Sequence, residues 1–394
     1  MDVNVKYYLS MNSDRQKRSD ENIAYLNEVG KKADITFHVD EKVAGAPEVV
    51  FIGGGGTEGK FKATIDELED PIIIMTTGEN NSLAASMEIL SYLKQEGRKG
   101  CILHGDVDEA AVRIKDMLKA KVALKKLKGF RLGALGKSSD WLISSNVDAQ
   151  KLVEVSGMEI VNVSMDEVFE EIAKGGYEEN EFTKDLKAHD FNKDELEKAL
   201  DIYGAFARIK DKYDLQALTV RCFDLLEPIK NTGCLGLAIL NAQGVYGGCE
   251  GDMPSLISMV ILGELSGKPV FMCNPSRINK KDGNMVFAHC TLPVTMPCQY
   301  KLMTHYESGL GVAIAGDVPL GECTVFKCSG DLSRHFAQKG EIVKDLHEEA
   351  LCRTQIEVHL EDGLDYFTNE PIGNHHLVCN GDYTGVIEEF FKLV

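Results

Sequence analysis

The stretch Pro71-Ile-Ile-Ile-Met-Thr76 is an apolar run without polar alternation, and a helical pattern follows it. A continuous apolar run is typical of a strand that is buried on both faces, whereas a half-exposed strand alternates apolar and polar residues. Four further strands are predicted nearby, over Val3–Leu9, Asp34–Val39, Glu48–Ile52 and Lys99–Leu103. The predicted helices of this segment lie over residues 14–29, 60–68, 82–95 and 108–127. Strands that alternate with helices indicate an α/β fold whose parallel sheet is covered on both faces.

Two further parts follow this segment. The second part begins near Gly129 and is predicted to contain strands over Leu152–Val155 and Glu159–Val163 before a helical, charge-rich stretch. The third part begins near Leu215, with a predicted strand over Leu235–Leu240 and a helix over Pro254–Leu265. Short strands with turn signals dominate after residue 267, which predicts a largely antiparallel, barrel-like end.

Charge and composition exclude several classes of protein. The chain has 43 Lys and Arg against 62 Asp and Glu, a net charge of -19, so binding to nucleic acid or to an anionic membrane surface is not expected. The N-terminus lacks the features of a signal peptide, and the apolar stretch Ser255–Leu265 is too short to span a bilayer. The 11 cysteines are scattered without a CxxC pair, which favours reduced, buried thiols and a cytoplasmic location.

A glycine-rich loop, Gly53-Gly-Gly-Gly-Thr-Glu-Gly59, follows one of the predicted strands. Its glycines match the G-x-G-x-x-G pattern of loops that bring backbone N–H groups close to a phosphate. However, the next strand ends in Thr76-Thr-Gly78, where a dinucleotide site would have an acidic residue. A plain turn at the edge of the sheet is the favoured interpretation, and a nucleotide-dependent enzyme is the weaker alternative.

Two carboxylates occur together in Cys249-Glu-Gly-Asp-Met-Pro254. Asp252 precedes a predicted helix with proline in its first turn, so its side chain either caps this helix or belongs to a site. Glu250 lies among glycines and apolar residues, where a buried carboxylate would need a cation or a metal as partner. A position in a surface loop is the alternative for Glu250.

Histidines occur in two stretches of the third part. His289 lies inside the apolar run Val286-Phe-Ala-His-Cys-Thr-Leu292, where it is either a metal ligand or a core histidine with satisfied hydrogen bonds. His375 and His376 are adjacent, and neighbouring strand side chains point to opposite faces, so one of the two is expected in any given site. A carboxylate with imidazoles and a carbonyl oxygen would suit Mn²⁺ or a similar divalent ion. Three further charged residues either orient a polar substrate or form structural ion pairs: Asp224, Glu307 and Arg353.

These stretches resemble the L-fucose isomerase and L-arabinose isomerase superfamily, most clearly from about Arg221 to the end. The resemblance is carried by Cys249-Glu-Gly-Asp252, Gly267-Lys-Pro-Val-Phe-Met-Cys-Asn274, Val286-Phe-Ala-His289, Gly373-Asn-His-His376 and the Phe130–Ile143 stretch. It implies two Rossmann-like parallel-sheet domains, residues 1–128 and 129–214, and a C-terminal α+β domain, residues 215–394, with an antiparallel barrel-like sheet and the metal and sugar site. It also implies a cytoplasmic homo-oligomer, a trimer or a hexamer.

The resemblance further implies an aldose–ketose isomerase that uses Mn²⁺ or a related ion. The first carboxylate of the family pattern falls on Glu250, and the histidines fall on His289 and His375. The second carboxylate falls on Asn274, which can offer a carbonyl oxygen to a metal but cannot accept a proton. Either Asp252 or a metal-bound hydroxide would then act as the base.

Two functions follow from this set of residues. The first is a divalent-metal-dependent sugar isomerase that works through an enediol, with Glu250, Asn274, His289 and His375 at the metal and with Glu250, Asp252 and Asn274 in catalysis. The second is a non-catalytic sugar-binding or regulatory protein that has kept the fold and lost the base. The acidic surface suits a neutral sugar and attracts a cation.

Overall fold

The computed structural model describes residues 1–10, 14–39 and 41–394. The chain forms two compact units, one of residues 1–125 with 385–394 and the other of residues 126–384. The predicted division into three domains, with boundaries at 128/129 and 214/215, is finer than these two units and stays a prediction. Among the described residues, no helix has the length and apolar character needed to cross a membrane.

The first unit is built on a five-stranded parallel sheet in the order β2-β1-β3-β4-β5. Its strands are β1 (Asp2–Tyr8), β2 (Thr36–Val39), β3 (Glu48–Ile52), β4 (Ile72–Thr76) and β5 (Gly100–Leu103). The helices between them are α1 (Arg15–Ala33), α2 (Glu58–Lys62), α3 (Ser82–Gln95) and α4 (Val107–Leu127), with a 3-10 turn over Ile65–Glu67.

Both faces of this sheet are buried, as the apolar strands predicted. Ile73 and Met75 of β4 pack in one apolar cluster, whereas Ile72 and Ile74 pack in a second cluster. Successive side chains of a strand point to opposite faces, so the two clusters lie on the two sides of the sheet.

The second unit begins with a four-stranded parallel sheet in the order β7-β6-β8-β9. Its strands are β6 (Arg131–Leu135), β7 (Glu159–Val163), β8 (Ala217–Val220) and β9 (Tyr246–Gly248). Its helices are α5 (Ala149–Ser156), α6 (Met165–Ala173), α7 (Glu181–Ala188), α8 (Lys193–Tyr213), α9 (Leu226–Ile229), α10 (Cys234–Ala242) and α11 (Met253–Ser266), with a 3-10 turn over Cys222–Leu225.

The rest of the second unit contains a closed antiparallel barrel in the order β10-β11-β16-β15-β14-β17. The elements of this part are β10 (Phe271–Asn279), β11 (Asn284–His289), β12 (Gln299–Met303), β13 (Ala313–Asp317), β14 (Gly321–Cys328), β15 (His335–Asp345), β16 (Thr354–His359), α12 (Tyr366–Asn369) and β17 (His376–Asn380). Strands β12 and β13 pair with each other outside the barrel. Helix α13 (Thr384–Leu393) follows in the chain, and its residues from 385 onward belong to the first unit. The predicted fold class, parallel α/β sheets followed by an antiparallel barrel, is confirmed.

Two predicted strands are wrong. Leu152–Val155 lies in helix α5, which Asp148 caps by accepting a hydrogen bond from the backbone N of Lys151 and which ends at Gly157 with a φ of 77°. Leu235–Leu240 lies in helix α10, whose residues from 234 to 240 are all buried. A fully buried helix has no polar face, so its apolar run reads like a buried strand.

Candidate metal centre

Glu250 lies in the loop between β9 and α11, and its backbone is unusual. Its φ is +60°, a conformation that costs free energy for a residue with a side chain. The loop is held in place because Ser139 donates its backbone N–H to the carbonyl oxygen of Glu250 over 2.9 Å. At Gly251, with a φ of +68°, a Cβ would lie 2.5 Å from the carbonyl oxygen of Lys137, so glycine is needed there. This packing fixes the direction of the Glu250 carboxylate.

Two histidines approach Glu250 from the barrel. His289 is the last residue of β11, and His375 immediately precedes β17. The Oε1 atom of Glu250 lies 3.9 Å from Nε2 of His289 and 3.4 Å from Nε2 of His375. All three residues are buried, and each offers one ligand atom within 4.8 Å of the others. Among the described residues, this is the one cluster of His, Cys, Asp and Glu with that geometry.

The Nδ1 atoms of the two imidazoles are engaged with other groups, and the Nε2 atoms face Glu250. Nδ1 of His375 lies 2.8 Å from Oδ2 of Asp252, and Nδ1 of His289 lies 2.9 Å from Oγ1 of Thr291. Nε2 of His375 is buried and makes no hydrogen bond within the described part of the chain. Two imidazole nitrogens and a carboxylate oxygen that face one space are a donor set suited to a divalent transition metal. The residues therefore fit the metal that the resemblance implies.

The charges of the cluster act on one another. Burial raises the pKa of Glu250, but His375 and His289 outweigh this effect and lower the pKa to about 2. Burial lowers the pKa of His375, but the carboxylates of Asp252 and Glu250 outweigh it and raise the pKa to about 9. Burial and the charge of His375 lower the pKa of His289 to about 3, so His289 is neutral and keeps a lone pair for a ligand.

Asp252 lies behind His375. Its side chain caps α11 by accepting the backbone N–H of Ser255 over 3.1 Å, so the capping alternative for Asp252 is confirmed. Oδ2 also accepts the Ser255 hydroxyl over 2.8 Å, and Oδ1 lies 3.9 Å from Nζ of Lys327. Asp252 is fully buried and its oxygens are engaged with these partners, so its geometry suits the orientation of His375 better than proton transfer.

Lys327 was missed in the sequence. It lies on β14 with a side chain that is 1% exposed, and its ammonium group donates to the hydroxyl of Ser255. The signal was its position two residues after Val325 and four after Cys323, on the apolar face of a strand. A lysine on such a face needs a buried carboxylate as partner.

Trp141 forms one side of the site. Its indole Nε1 donates to Oε2 of Glu250 over 2.6 Å, although the residue is 53% exposed. The ring of Phe223 meets the indole edge-on, with centroids 4.7 Å apart, and the His305 imidazole lies 5.8 Å from Phe223 on a similar edge-on contact. An aromatic wall of Trp141, Phe223 and His305 therefore extends away from Glu250.

Asn274 lies on β10, between β11, which ends at His289, and β17, which begins directly after His375. β10 pairs with β11 through Asn274 and Ala288 and with β17 through Cys273 and His376. The amide of Asn374 donates to Oδ1 of Asn274 over 2.8 Å, which uses one lone pair of that oxygen. A role for Asn274 as a metal ligand or in catalysis stays a prediction.

The adjacent histidines have different environments, as strand alternation predicted. The Nδ1 atom of His376 lies 2.8 Å from the carbonyl oxygen of Asn374, and Nε2 lies 3.0 Å from the hydroxyl of Tyr366. His376 is therefore engaged with these two groups, whereas His375 faces Glu250.

The glycine-rich loop follows β3, and its backbone makes several local hydrogen bonds. The carbonyl oxygen of Gly53 accepts from Asn22 over 3.1 Å, and the backbone N of Gly55 donates to Asn80 over 2.9 Å. The helix that follows, α2, has only five residues. These contacts are those of a structural turn.

Fold and cluster together define a class: an α/β protein with an antiparallel barrel that carries a buried Glu–His–His site. No family model matches the chain. It is 23% identical over 367 residues to the sulfoquinovose isomerases of Priestia aryabhattai and Priestia megaterium, a match that covers 86% of this chain and 81% of each relative. The sulfoquinovose isomerase of a Clostridium species is 23% identical over 273 residues, 66% of this chain and 59% of the relative. The chain is a homologue of these enzymes, and the resemblance to the L-fucose and L-arabinose isomerase superfamily is confirmed.

Proposed function

We propose that this chain is a divalent-metal-dependent aldose–ketose isomerase that acts through an enediol. The observation that carries the proposal is the buried cluster of Glu250, His289 and His375, whose ligand atoms lie within 4.8 Å of one another. Within the described residues, Nε2 of His375 makes no hydrogen bond. The names of the relatives support a sugar as substrate. Mn²⁺ or a similar ion as cofactor, a homo-oligomer and a cytoplasmic location are parts of the same proposal.

Glu250, His289 and His375 would hold the metal. When bound, a divalent ion supplies Lewis-acid polarisation of neighbouring sugar oxygens, which makes the proton on the adjacent carbon more acidic. Asp252 fixes the ring of His375 through Nδ1 and so directs Nε2 toward Glu250.

We assign the proton transfer between C1 and C2 to Glu250. Asn274 cannot accept a proton, and the oxygens of Asp252 are already engaged. Oε2 of Glu250 accepts from the Trp141 indole over 2.6 Å and keeps a second lone pair that can take up a proton. Trp141 therefore holds the base in one orientation while leaving it able to act.

The test is an aldose panel, including sulfoquinovose, assayed for ketose with Mn²⁺ and after treatment with EDTA. We expect turnover that EDTA abolishes and that added Mn²⁺ restores. Glu250→Gln should lower kcat by about a hundredfold or more, since it removes both a charged ligand and the base. Glu361→Gln, at an exposed carboxylate, is the matched control and should keep full activity.

Two results would contradict the proposal. One is a protein that binds no Mn²⁺ and forms no ketose from any aldose. The other is sugar binding that stabilises the protein without turnover and without sensitivity to EDTA, which would instead support a non-catalytic sugar-binding protein.

A further inference from the structure

Arg353 immediately precedes β16, and among the described residues its guanidinium group has no carboxylate partner. Its Nε donates to the carbonyl oxygen of Thr304 over 2.8 Å, and its Cζ lies 5.7 Å from the centre of the Tyr306 ring. In the part of the chain that the structure describes, its two terminal nitrogens make no hydrogen bond or ion pair. These two contacts orient the half-buried side chain, and its terminal nitrogens keep their hydrogen-bonding capacity for a ligand.

Arg221, the other arginine near the site, is in the opposite situation. Its guanidinium group pairs with Asp140 over 2.9 Å and with Asp224 over 2.9 Å, and it also donates to the carbonyl oxygen of Ser138. Asp224 is therefore half of a structural ion pair, one of the two alternatives left open by the sequence. Arg353 lacks such a pair, so its charge is available for recognition.

Arg353 is close to the metal cluster in the fold. Thr354, the next residue, pairs with His289 in the register of β16 and β11. Paired Cα atoms in a sheet lie about 5 Å apart and consecutive Cα atoms 3.8 Å apart, so the Cα of Arg353 lies within about 9 Å of that of His289. The Arg353 side chain also donates a hydrogen bond to the carbonyl oxygen of Thr304, the residue before His305 of the aromatic wall. Burial lowers the pKa of His305, the charge of Glu250 acts against this effect, and the charge of Arg353 adds to it.

We propose that Arg353 recognises an acidic substituent on the sugar, such as a sulfonate, while the carbon atoms that react lie at Glu250. The inference rests on the proposed function and adds two points: the substrate is an acidic sugar, and Arg353 binds its acidic group. A net charge of -19 repels an anionic sugar at long range, so such a sugar needs a local cation in the site. A guanidinium group offers two parallel N–H donors to the oxygens of a sulfonate or a carboxylate.

One other arginine of the barrel provides a matched comparison. Arg334 is exposed, donates to the carbonyl oxygen of Glu370 over 3.0 Å, and lines a cavity of about 380 Å³ together with Lys327. It could also meet an anion, but among the described residues its side chain makes no hydrogen bond, ion pair or ring contact with the aromatic wall or with strands β11 and β16. The two arginines therefore give different expectations for the same substitution.

The experiment compares sulfoquinovose with D-glucose, which has the same ring and no acidic group. We would measure kcat/KM by ketose formation and Kd by isothermal titration in Mn²⁺, for the unmodified protein, Arg353→Gln, Arg353→Lys and Arg334→Gln. For sulfoquinovose, Arg353→Gln should lose about ten- to a hundredfold in kcat/KM and in affinity, because one charge-assisted contact is removed. Arg353→Lys should recover part of the loss, and glucose should change less than threefold.

The outcomes separate this inference from the proposed function. Equal losses for both sugars, no loss for either, or a loss that appears in Arg334→Gln instead would overturn the role of Arg353. An unmodified protein that isomerises glucose and rejects sulfoquinovose and other acidic sugars would also overturn it, and would leave the isomerase proposal intact. A protein that neither isomerises nor binds any sugar would overturn both the role of Arg353 and the proposed function.

Discussion

Asp252 shows how a single side chain serves the fold and the site together. It caps α11, accepts the hydroxyl of Ser255, holds Nδ1 of His375 and lies 3.9 Å from the ammonium group of Lys327. The carboxylate of Asp252 and the ammonium group of Lys327 are both almost wholly buried. Such a pair adds little to stability as a whole, but the loss of one partner leaves the other as an uncompensated buried charge.

Lys327→Met should therefore destabilise the protein by about 3–5 kcal/mol. Asp252→Asn should also be destabilising, because it leaves the ammonium group without its counter-charge although asparagine can still cap the helix. The double variant should lose less than the sum of the two single losses, since neither charge remains. Urea unfolding of the four proteins measures this coupling, and strictly additive losses would show that the pair does not interact.

The candidate ligands could be named from the sequence because the family pattern supplied their order along the chain. The structure places Glu250, His289 and His375 together, although residue types alone gave no reason for their approach. The contact of Trp141 with Glu250 and, within the described residues, the lack of a carboxylate partner at Arg353 could not be predicted in this way. Each depends on which side chains from distant segments meet, and short-range patterns carry no information about that.

At the scale of elements, helix α8 contains a glycine that is required by a close approach. A Cβ at Gly204 would lie 2.1 Å from the carbonyl oxygen of Gly176 and 2.9 Å from Cβ of Tyr177. The connection between α6 and α7 thus passes directly over the helix backbone at this position.

Gly204→Ala should destabilise the protein, in contrast to the usual gain of up to about 1 kcal/mol from alanine inside a helix. The clash with the backbone at Gly176 forces the connection away, and overpacking of this kind costs about 1–3 kcal/mol. Gly59→Ala in α2, where the added Cβ meets nothing within 4 Å, is the control and should be neutral or stabilising. Chemical denaturation of both variants provides the comparison, and equal effects would contradict the argument.

Two elements were predicted correctly without any period in their sequence. The proline in the first turn indicated the helix over Pro254–Leu265, which corresponds to α11 although its residues from 253 to 263 are all buried, and the short apolar run at Pro71 corresponds to β4. Helix α10 was read as a strand because apolar residues surround its whole circumference, so no period of 3.6 remains in the pattern. Burial on all sides erases the sequence signal that distinguishes the two structures.

At the scale of the whole molecule, the cluster joins parts of the second unit that are distant in the chain. Glu250 follows a strand of the parallel sheet, whereas His289 and His375 belong to the barrel. An unfolded chain cannot hold these three ligands together, so a metal that binds them binds the folded state preferentially and stabilises it.

Mn²⁺ at a hundred times its Kd should therefore add about 2.7 kcal/mol of stability and raise Tm by about 5–10 °C for a unit of this size. His375→Gln should abolish this increase, because the free Nε2 is a ligand of the cluster. His376→Gln is the matched control, because the imidazole of His376 faces Tyr366 and Asn374. This variant should start from a lower Tm but keep the increase on addition of Mn²⁺. Differential scanning calorimetry with and without Mn²⁺ measures each shift. If both variants lose the increase, or if neither does, the metal does not bind through His375 in the geometry described.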